Sequence, residues 1–233
     1  MISRIASELI PFLFSMGAGY FAGRVKQGAM PLSSINTMLV DYALPFALFL
    51  YTARMQRASL AQHGVLIAVL VGVMLVPYFA SLLVSRFVFK SDPATAAVRA
   101  VTIGMPNFAS VGLPLLRAVY GPESDLTAGL ALFSTGLVLA AQPFRFDAQA
   151  GFGIVLSNIV QPLIALTLVN LLAVPKAIAG QAILLAAIPC GSFGILFGLP
   201  YGVSDASAGT TLVASSLLSA VTLSGTIVLL GHP

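Results

Sequence analysis

Charge is what this chain has least of. Only 8% of its 233 residues are Asp, Glu, Lys or Arg, against about 25% in a soluble domain, while 58% are hydrophobic. A surface so poor in charge cannot face water, so the composition is that of an integral membrane protein. Cysteine is scarcer still. Cys190 stands alone, which excludes an internal disulfide and a thiolate metal cluster. The two histidines, His63 and His232, fall in a loop and at the extreme C-terminus, so no metal or cofactor is expected. Neither H-E-x-x-H nor G-x-S-x-G is present, and no paired intramembrane aspartates occur, so the chain is not expected to be an enzyme. The net charge of +4 is spread over short polar gaps (Arg24 and Lys26, Arg54 and Arg57, Arg86 and Lys90). A nucleic-acid partner would need those charges gathered on one face.

Long apolar runs are what the chain does have. A spanning helix takes about 20 predominantly apolar residues, and about eight segments meet that need, at about 4–23, 35–53, 63–85, 96–119, 125–142, 151–173, 177–200 and 208–230. The expected fold is therefore an all-α, multi-pass membrane protein with no soluble domain, in contact with the lipid bilayer. The N-terminal stretch could pass for a secretion signal, but Glu8 and Pro11 interrupt it and more spans follow, so it reads as the first span. "KSDPATAA" (90–97) offers Ser91 or Asp92 as a helix N-cap with Pro93 in the first turn. "VPK" (174–176) is a turn short enough to make its flanking helices neighbours, and "YGVSDAS" (201–207) is a polar connector. The fifth segment is short, and it follows abruptly on the Gly-Pro break of "YGPESD" (120–125). Basic residues divide five to six between the two sides of the membrane, with Arg99 counted in the larger group. That margin places both termini outside by the positive-inside rule.

Two spans are badly made for lipid. "GMPNFASVGLP" (104–114) carries Pro106, Pro114, Gly104 and Gly112, and "AAIPCGSFGILFGLPYG" (186–202) carries Pro189, Pro200, Gly191, Gly194 and Gly198. Proline removes a backbone donor and glycine weakens what remains. In hydrocarbon the freed groups must be satisfied inside the protein or along a water-filled cavity. Paired interrupted spans in two halves of a membrane protein point to a transporter site near the midplane. There, half-helix ends can hold an anion without a buried cation, and Asn107 and Ser192 would add an amide and a hydroxyl donor.

Other polar residues have quieter readings. Asp41, inside the second span, is a candidate for proton or sodium coupling because an intramembrane carboxylate is costly, although it lies near that span's end. "GAGYFAG" (17–23) has the wrong spacing for a dinucleotide fingerprint and suits close helix packing. The serines and threonines of "TTLVASSLLSAVTLSGT" (210–226) form a small-residue packing face or line a hydrophilic path. Cys190 reads as a small apolar filler whose place inside the break suits it to labelling.

"NTMLVDYALPFALF", "GMPNFASVGLPLLRAVYG", "AGLALFSTGLVLAAQPFRFD", "NIVQPLIAL" and "AAIPCGSFGILFGLPYG" together resemble the auxin efflux carrier family, above all its bacterial malonate-transporter branch. The resemblance covers nearly the whole chain. It implies a secondary active transporter of small organic anions, with a dicarboxylate such as malonate as the expected substrate, in the bacterial cytoplasmic membrane. It also implies ten spans in two inverted repeats, with the fourth and ninth spans unwound at prolines and crossing where the substrate carboxylate binds, and a homodimeric scaffold. Carried onto this chain, the implied site is Pro106, Asn107, Gly112 and Pro114 with Pro189, Cys190, Gly191 and Ser192, Asn107 being the carboxylate ligand. Gly194 stands where relatives often have a second proline. Residues 1–122 correspond to the N-terminal repeat, including the broken helix 96–119. Residues 123–233 correspond to what remains of the C-terminal repeat, including the broken helix 177–200. Residues 126–142 resemble the end of the family's seventh span, and 151–230 its eighth to tenth. This implies an internal deletion with its junction near Ser124 to Ala128. Such a chain would be a carrier or, if the deletion is disabling, a non-transporting fragment or assembly partner.

Overall fold

The computed structural model of the chain describes residues 14, 17–25, 49, 64–112, 140 and 144–230, and these are helical wherever they are regular. Residues 14 and 17–23 belong to the expected first span, whereas the second and fifth spans apart from residues 49 and 140, together with Asp41 and Pro114, lie outside the described residues. Helix α1 (Gly64–Leu83) continues through a wider π-turn, Val84–Val88. Helix α2 (Pro93–Gly104) stops at the first break, and a π-turn, Phe108–Gly112, resumes beyond it. Helix α3 (Ala148–Val155), a π-turn (Leu156–Val160) and α4 (Gln161–Leu171) form one continuous rod. Helix α5 (Lys176–Ala186) reaches the second break, and α6 (Phe193–Gly198) with a 3₁₀ turn, Leu199–Tyr201, follows it. Helix α7 (Ala206–Leu229) closes the described chain. Three of these rods, Gly64–Val88, Ala148–Leu171 and Ala206–Leu229, are 24 or 25 residues long and apolar enough to cross a membrane.

The helix starts follow from local chemistry. Asp92, the second of the two expected caps, accepts from Ala94 N and Thr95 N at 3.0 Å each, with Pro93 at the first helical position where its missing donor costs nothing. A hydrogen bond from the Thr95 side chain, followed by those from the Thr95 and Ala94 amides, holds the Asp92 carboxyl below the usual carboxylate value. Asp147 caps α3 through Ala150 N at 2.8 Å, and Asp205 caps α7 through Ser207 N and Ala208 N. Burial pushes the Asp147 carboxyl up, but the Ser207 hydroxyl, the Ala150 amide and the Arg99 charge outweigh it and leave the pKa lowered. The rod α3–α4 widens at Leu156–Val160 because Pro162 has no N–H for the next rung. Gln161 N–H reaches back to Leu156 O, the π-type bond.

These capped starts are tied together. Arg99 clasps Asp205 with two parallel hydrogen bonds, Nε to Oδ2 at 2.5 Å and Nη2 to Oδ1 at 2.9 Å, and its Nη1 reaches Ser91 Oγ at 2.8 Å. Ser207 Oγ donates to Asp147 Oδ2 at 2.7 Å. The N-termini of α2, α3 and α7 therefore meet at one end of the bundle, the parity expected for the fourth, sixth and eighth spans of an eight-span chain. Arg99 is thus no free loop charge. It is buried and paired, and without it the two sides carry five basic residues each, which cancels the charge margin for orientation.

Packing inverts the pattern of a soluble protein. Val71, Leu75, Val76 and Phe79 of α1 point outward, as do Leu217, Val221 and Val228 of α7. Inside, α7 presents Ser207, Thr211, Ser215 and Ser219, four residues apart and all buried, so the small-residue stripe is a packing face. Helix α1 lies closely along α2, and the contact needs Gly104, where a Cβ would sit 2.6 Å from Tyr78 Cβ. Helix α6 approaches α2 through Gly194, at which a Cβ would run into the Val98 carbonyl and Thr102. A proline there could not fit this spacing.

Arg99→Ala removes one side of a buried ion pair and strands Asp205. It should cost about 3–5 kcal/mol, read as a large fall in the thermal unfolding midpoint of the detergent-solubilised protein. Lys90→Ala, in the exposed connector, should leave that midpoint within a degree or two.

Candidate functional site

The two breaks meet. Pro106 and Cys190 form an isolated antiparallel bridge, so each interruption runs alongside the other as a short extended segment. The pairing follows from the missing donors. In an unbroken α2 the Thr102 carbonyl would accept from residue 106, but proline has nothing to give. The carbonyl takes Gly191 N–H of the second break instead, at 3.1 Å. Asn107 N–H, turned away from its own helix, donates to the Pro189 carbonyl at 3.0 Å. Each break thus supplies what the other lacks.

Two further freed groups are met by side chains from other helices. Asn107 has left the Ile103 carbonyl without its helical donor, and Gln161 Nε2 fills that place at 2.9 Å. Cys190 N–H donates to Ser215 Oγ of α7 at 3.1 Å. Ser215 Oγ also lies 3.3 Å from Ser157 Oγ, which is 3.0 Å from Asn158 Oδ1, while Asn158 Nδ2 donates to the Ser215 carbonyl at 3.2 Å. All four side chains are buried. The π-turn Leu156–Val160 places Ser157, Asn158 and then Gln161 along this interior face, where π-turns commonly aim functional side chains. Two fully buried oxygens beside the network, Thr102 Oγ1 and Gln161 Oε1, have no protein partner among the described residues.

Of the residues expected to bind, Pro106, Asn107, Pro189, Cys190 and Gly191 are brought together at the crossing. Asn107 is 3% exposed, and its own carbonyl accepts from Val111 N and Gly112 N as the next segment resumes. Gly112 packs toward the approach to the second break, where a Cβ would stand 3.0 Å from Leu185 Cδ2 and 3.2 Å from Ile188 Cδ1. Ser192 stands at the start of α6, where its carbonyl accepts from Leu196 N and its hydroxyl makes no capping bond. Cys190 is wholly buried in an apolar cluster with Val111, Leu184, Ile188 and Leu212. It is the small filler expected, but a reagent in solvent cannot reach it at rest, so the expectation of easy labelling is corrected. Among the described residues no group of three His, Cys, Asp or Glu side chains could hold a metal ion.

Gln161, Asn158 and Thr102 were not singled out from the sequence, and Ser215 was marked only within the serine- and threonine-rich stretch 210–226. Gln161 and Asn158 lie in "NIVQPLIAL", where an amide next to a proline inside an apolar run was the available signal.

The sequence has matches among known proteins. The family described as membrane transport protein matches residues 4–126 and 124–227. The uncharacterized transporter YfdV of Escherichia coli (strain K12) is 30% identical over 141 residues, 60% of this chain and 42% of that protein. A Rhizobium meliloti (strain 1021) protein provisionally named as a malonate transporter is 30% identical over 120 residues, 51% of this chain and 37% of that protein. The chain spans about two fifths of the length of the curated relatives it matches.

Gly191→Ala would push a Cβ against the Met105 carbonyl across the crossing. It should cost about 1–3 kcal/mol, the usual toll of overpacking. Gly151→Ala, where an added Cβ meets nothing within 4 Å, should be neutral or slightly stabilising. Thermal unfolding of both variants checks the contrast.

Proposed function

The chain belongs to the membrane transport protein family, that of the auxin efflux carriers, and from this premise we propose that it carries small organic anions across the bacterial cytoplasmic membrane. The observation that carries the reading is the backbone exchange between the two breaks, with Asn107 buried at their meeting point. A carboxylate entering there meets an amide side chain and the starts of two resumed helical segments, at Phe108, whose own N–H already donates to the Pro106 carbonyl, and at Phe193. Backbone amides favour an anion at such starts without a buried cation. A dicarboxylate of malonate's size is the substrate class, supported by the provisional name of the Rhizobium relative. A proton or sodium gradient drives transport, with Asp41 as the coupling candidate, and the carrier works as a homodimer in the lipid bilayer.

A second reading has its own observation. The two family matches abut at residues 124–126, and the matched part is about two fifths of each relative. A chain that has lost interior spans could persist as a non-transporting assembly partner of a complete carrier.

Uptake of labelled malonate into proteoliposomes, under imposed proton and then sodium gradients, separates the two. We expect gradient-driven uptake, and Asn107→Ala should raise the apparent KM about tenfold or more, the worth of one hydrogen bond to a charged group. Folded, inserted protein that takes up nothing, beside a complete relative that does, would leave the assembly-partner reading. Asp41→Asn should change the response to pH or sodium while leaving KM in place. A variant with the parent's gradient dependence would remove Asp41 from coupling.

A further inference from the structure

The freed Ile103 carbonyl can be met in two ways. It can take back Asn107 N–H and rebuild the helical rung across Pro106, or it can be met from outside and leave that N–H for Pro189. The structure shows the second arrangement, and the outside donor is one side chain, Gln161 Nε2 at 2.9 Å. Gln161 has no exposed surface, so no bulk water competes for the carbonyl. Its amide can face only one way, because the reversed orientation would set its oxygen against the carbonyl oxygen. Its aim is fixed by the π-turn that precedes it and by Pro162, which follows it.

We propose that Gln161 is the positioning residue of the crossing: by occupying the Ile103 carbonyl it holds Asn107 N–H on Pro189 and so keeps the first break in its substrate-binding shape. The inference rests on the carrier reading for what the shape is for, but the shape itself can be tested without transport. Once the donor is gone, Ile103 O and Pro189 O compete for one N–H, and the crossing spends part of its time unpaired. The second break then loosens around Cys190, the sole cysteine, which is sealed in the native state. A packing role for Gln161 would predict something else. Loss of packing lowers the unfolding midpoint but leaves Cys190 sealed well below it.

The test is the rate of Cys190 modification by N-ethylmaleimide in detergent-solubilised protein, 20 °C or more below the unfolding midpoint of each variant. Gln161→Leu and Gln161→Met remove the donor at similar volume. Gln161→Glu keeps the length of the side chain and, held neutral by burial, can still donate through its carboxyl O–H, so it is the rescue control and not one of the donor-free variants. Thr167→Val, on the exposed side of the same helix, is the second control. We expect the donor-free variants to react at least tenfold faster than the parent and both controls to match the parent. In proteoliposomes, the donor-free variants should raise KM for malonate more than they lower the maximal rate. Any donor-free variant that folds and keeps Cys190 as unreactive as in the parent overturns the proposal. Absence of transport in every protein, with the reactivity pattern intact, would instead count against the carrier reading and leave the positioning role standing.

Discussion

A carbonyl without a donor in a buried interior is the constraint on which this bundle is organised. Pro106 and Pro189 each delete an amide hydrogen from a segment embedded in an apolar core. A buried polar group left unpaired costs about 1–3 kcal/mol, and more in hydrocarbon, where water offers no relief. Four bonds carry most of the accounting: Gly191 N to Thr102 O, Asn107 N to Pro189 O, Gln161 Nε2 to Ile103 O, and Cys190 N to Ser215 Oγ. The glycines follow from this. Two backbones can exchange hydrogen bonds only if nothing projects between them, and a Cβ at Gly191 would meet the Met105 carbonyl.

The same demand explains why α7 is polar on the inside and apolar on the outside. In lipid, apolar contact gives little net drive for helices to associate, so packing and internal hydrogen bonds must hold them. Ser215 serves both ends, accepting from Cys190 N while pairing with Ser157. Thr211 and Ser219 return their hydroxyls to carbonyls of their own helix, Ser207 O and Ser216 O, and so remain small and satisfied. Among the described residues the one strong charge pair stands at the end of the bundle, where Arg99 and Asp205 bind α2 to α7 beside the capping carboxylate of Asp147. Keeping charge at the bundle end and neutral polar groups in the middle puts each where its desolvation costs least.

What the sequence disclosed divides along range. Much that is local was legible: the Asp92 cap with Pro93, a short turn expected at 174–176 and found at 172–175, the short polar connector before α7, and both breaks, since proline and glycine state their consequences within four residues. What depended on residues far apart was not. Arg99 looked like a loop charge because its partner lies 106 positions away. Gln161 was passed over because the carbonyl it serves, 58 positions back, is a polar group only once Pro106 and Asn107 have opened the helix. The family resemblance supplied the crossing of the two breaks, and the hydrogen bonds explain why they adjoin: each break is short of what the other has in surplus.

That exchange also limits how the site can move. Separating the two breaks would leave Thr102 O, Gly191 N, Asn107 N and Pro189 O unpaired at once. At about 1–3 kcal/mol for each group, the total rivals the 5–15 kcal/mol by which whole domains are stable. Transport by sliding one broken span past the other would therefore come close to the cost of unfolding. A motion that keeps α2, α5 and α6 together, with Ser215 of α7 and Gln161 of α4 still in place, breaks none of these bonds. Lipid-facing contacts such as those of Val71, Leu75 and Phe79 exchange one apolar neighbour for another and resist little. If the crossing carries an anion through the membrane, it does so as one body.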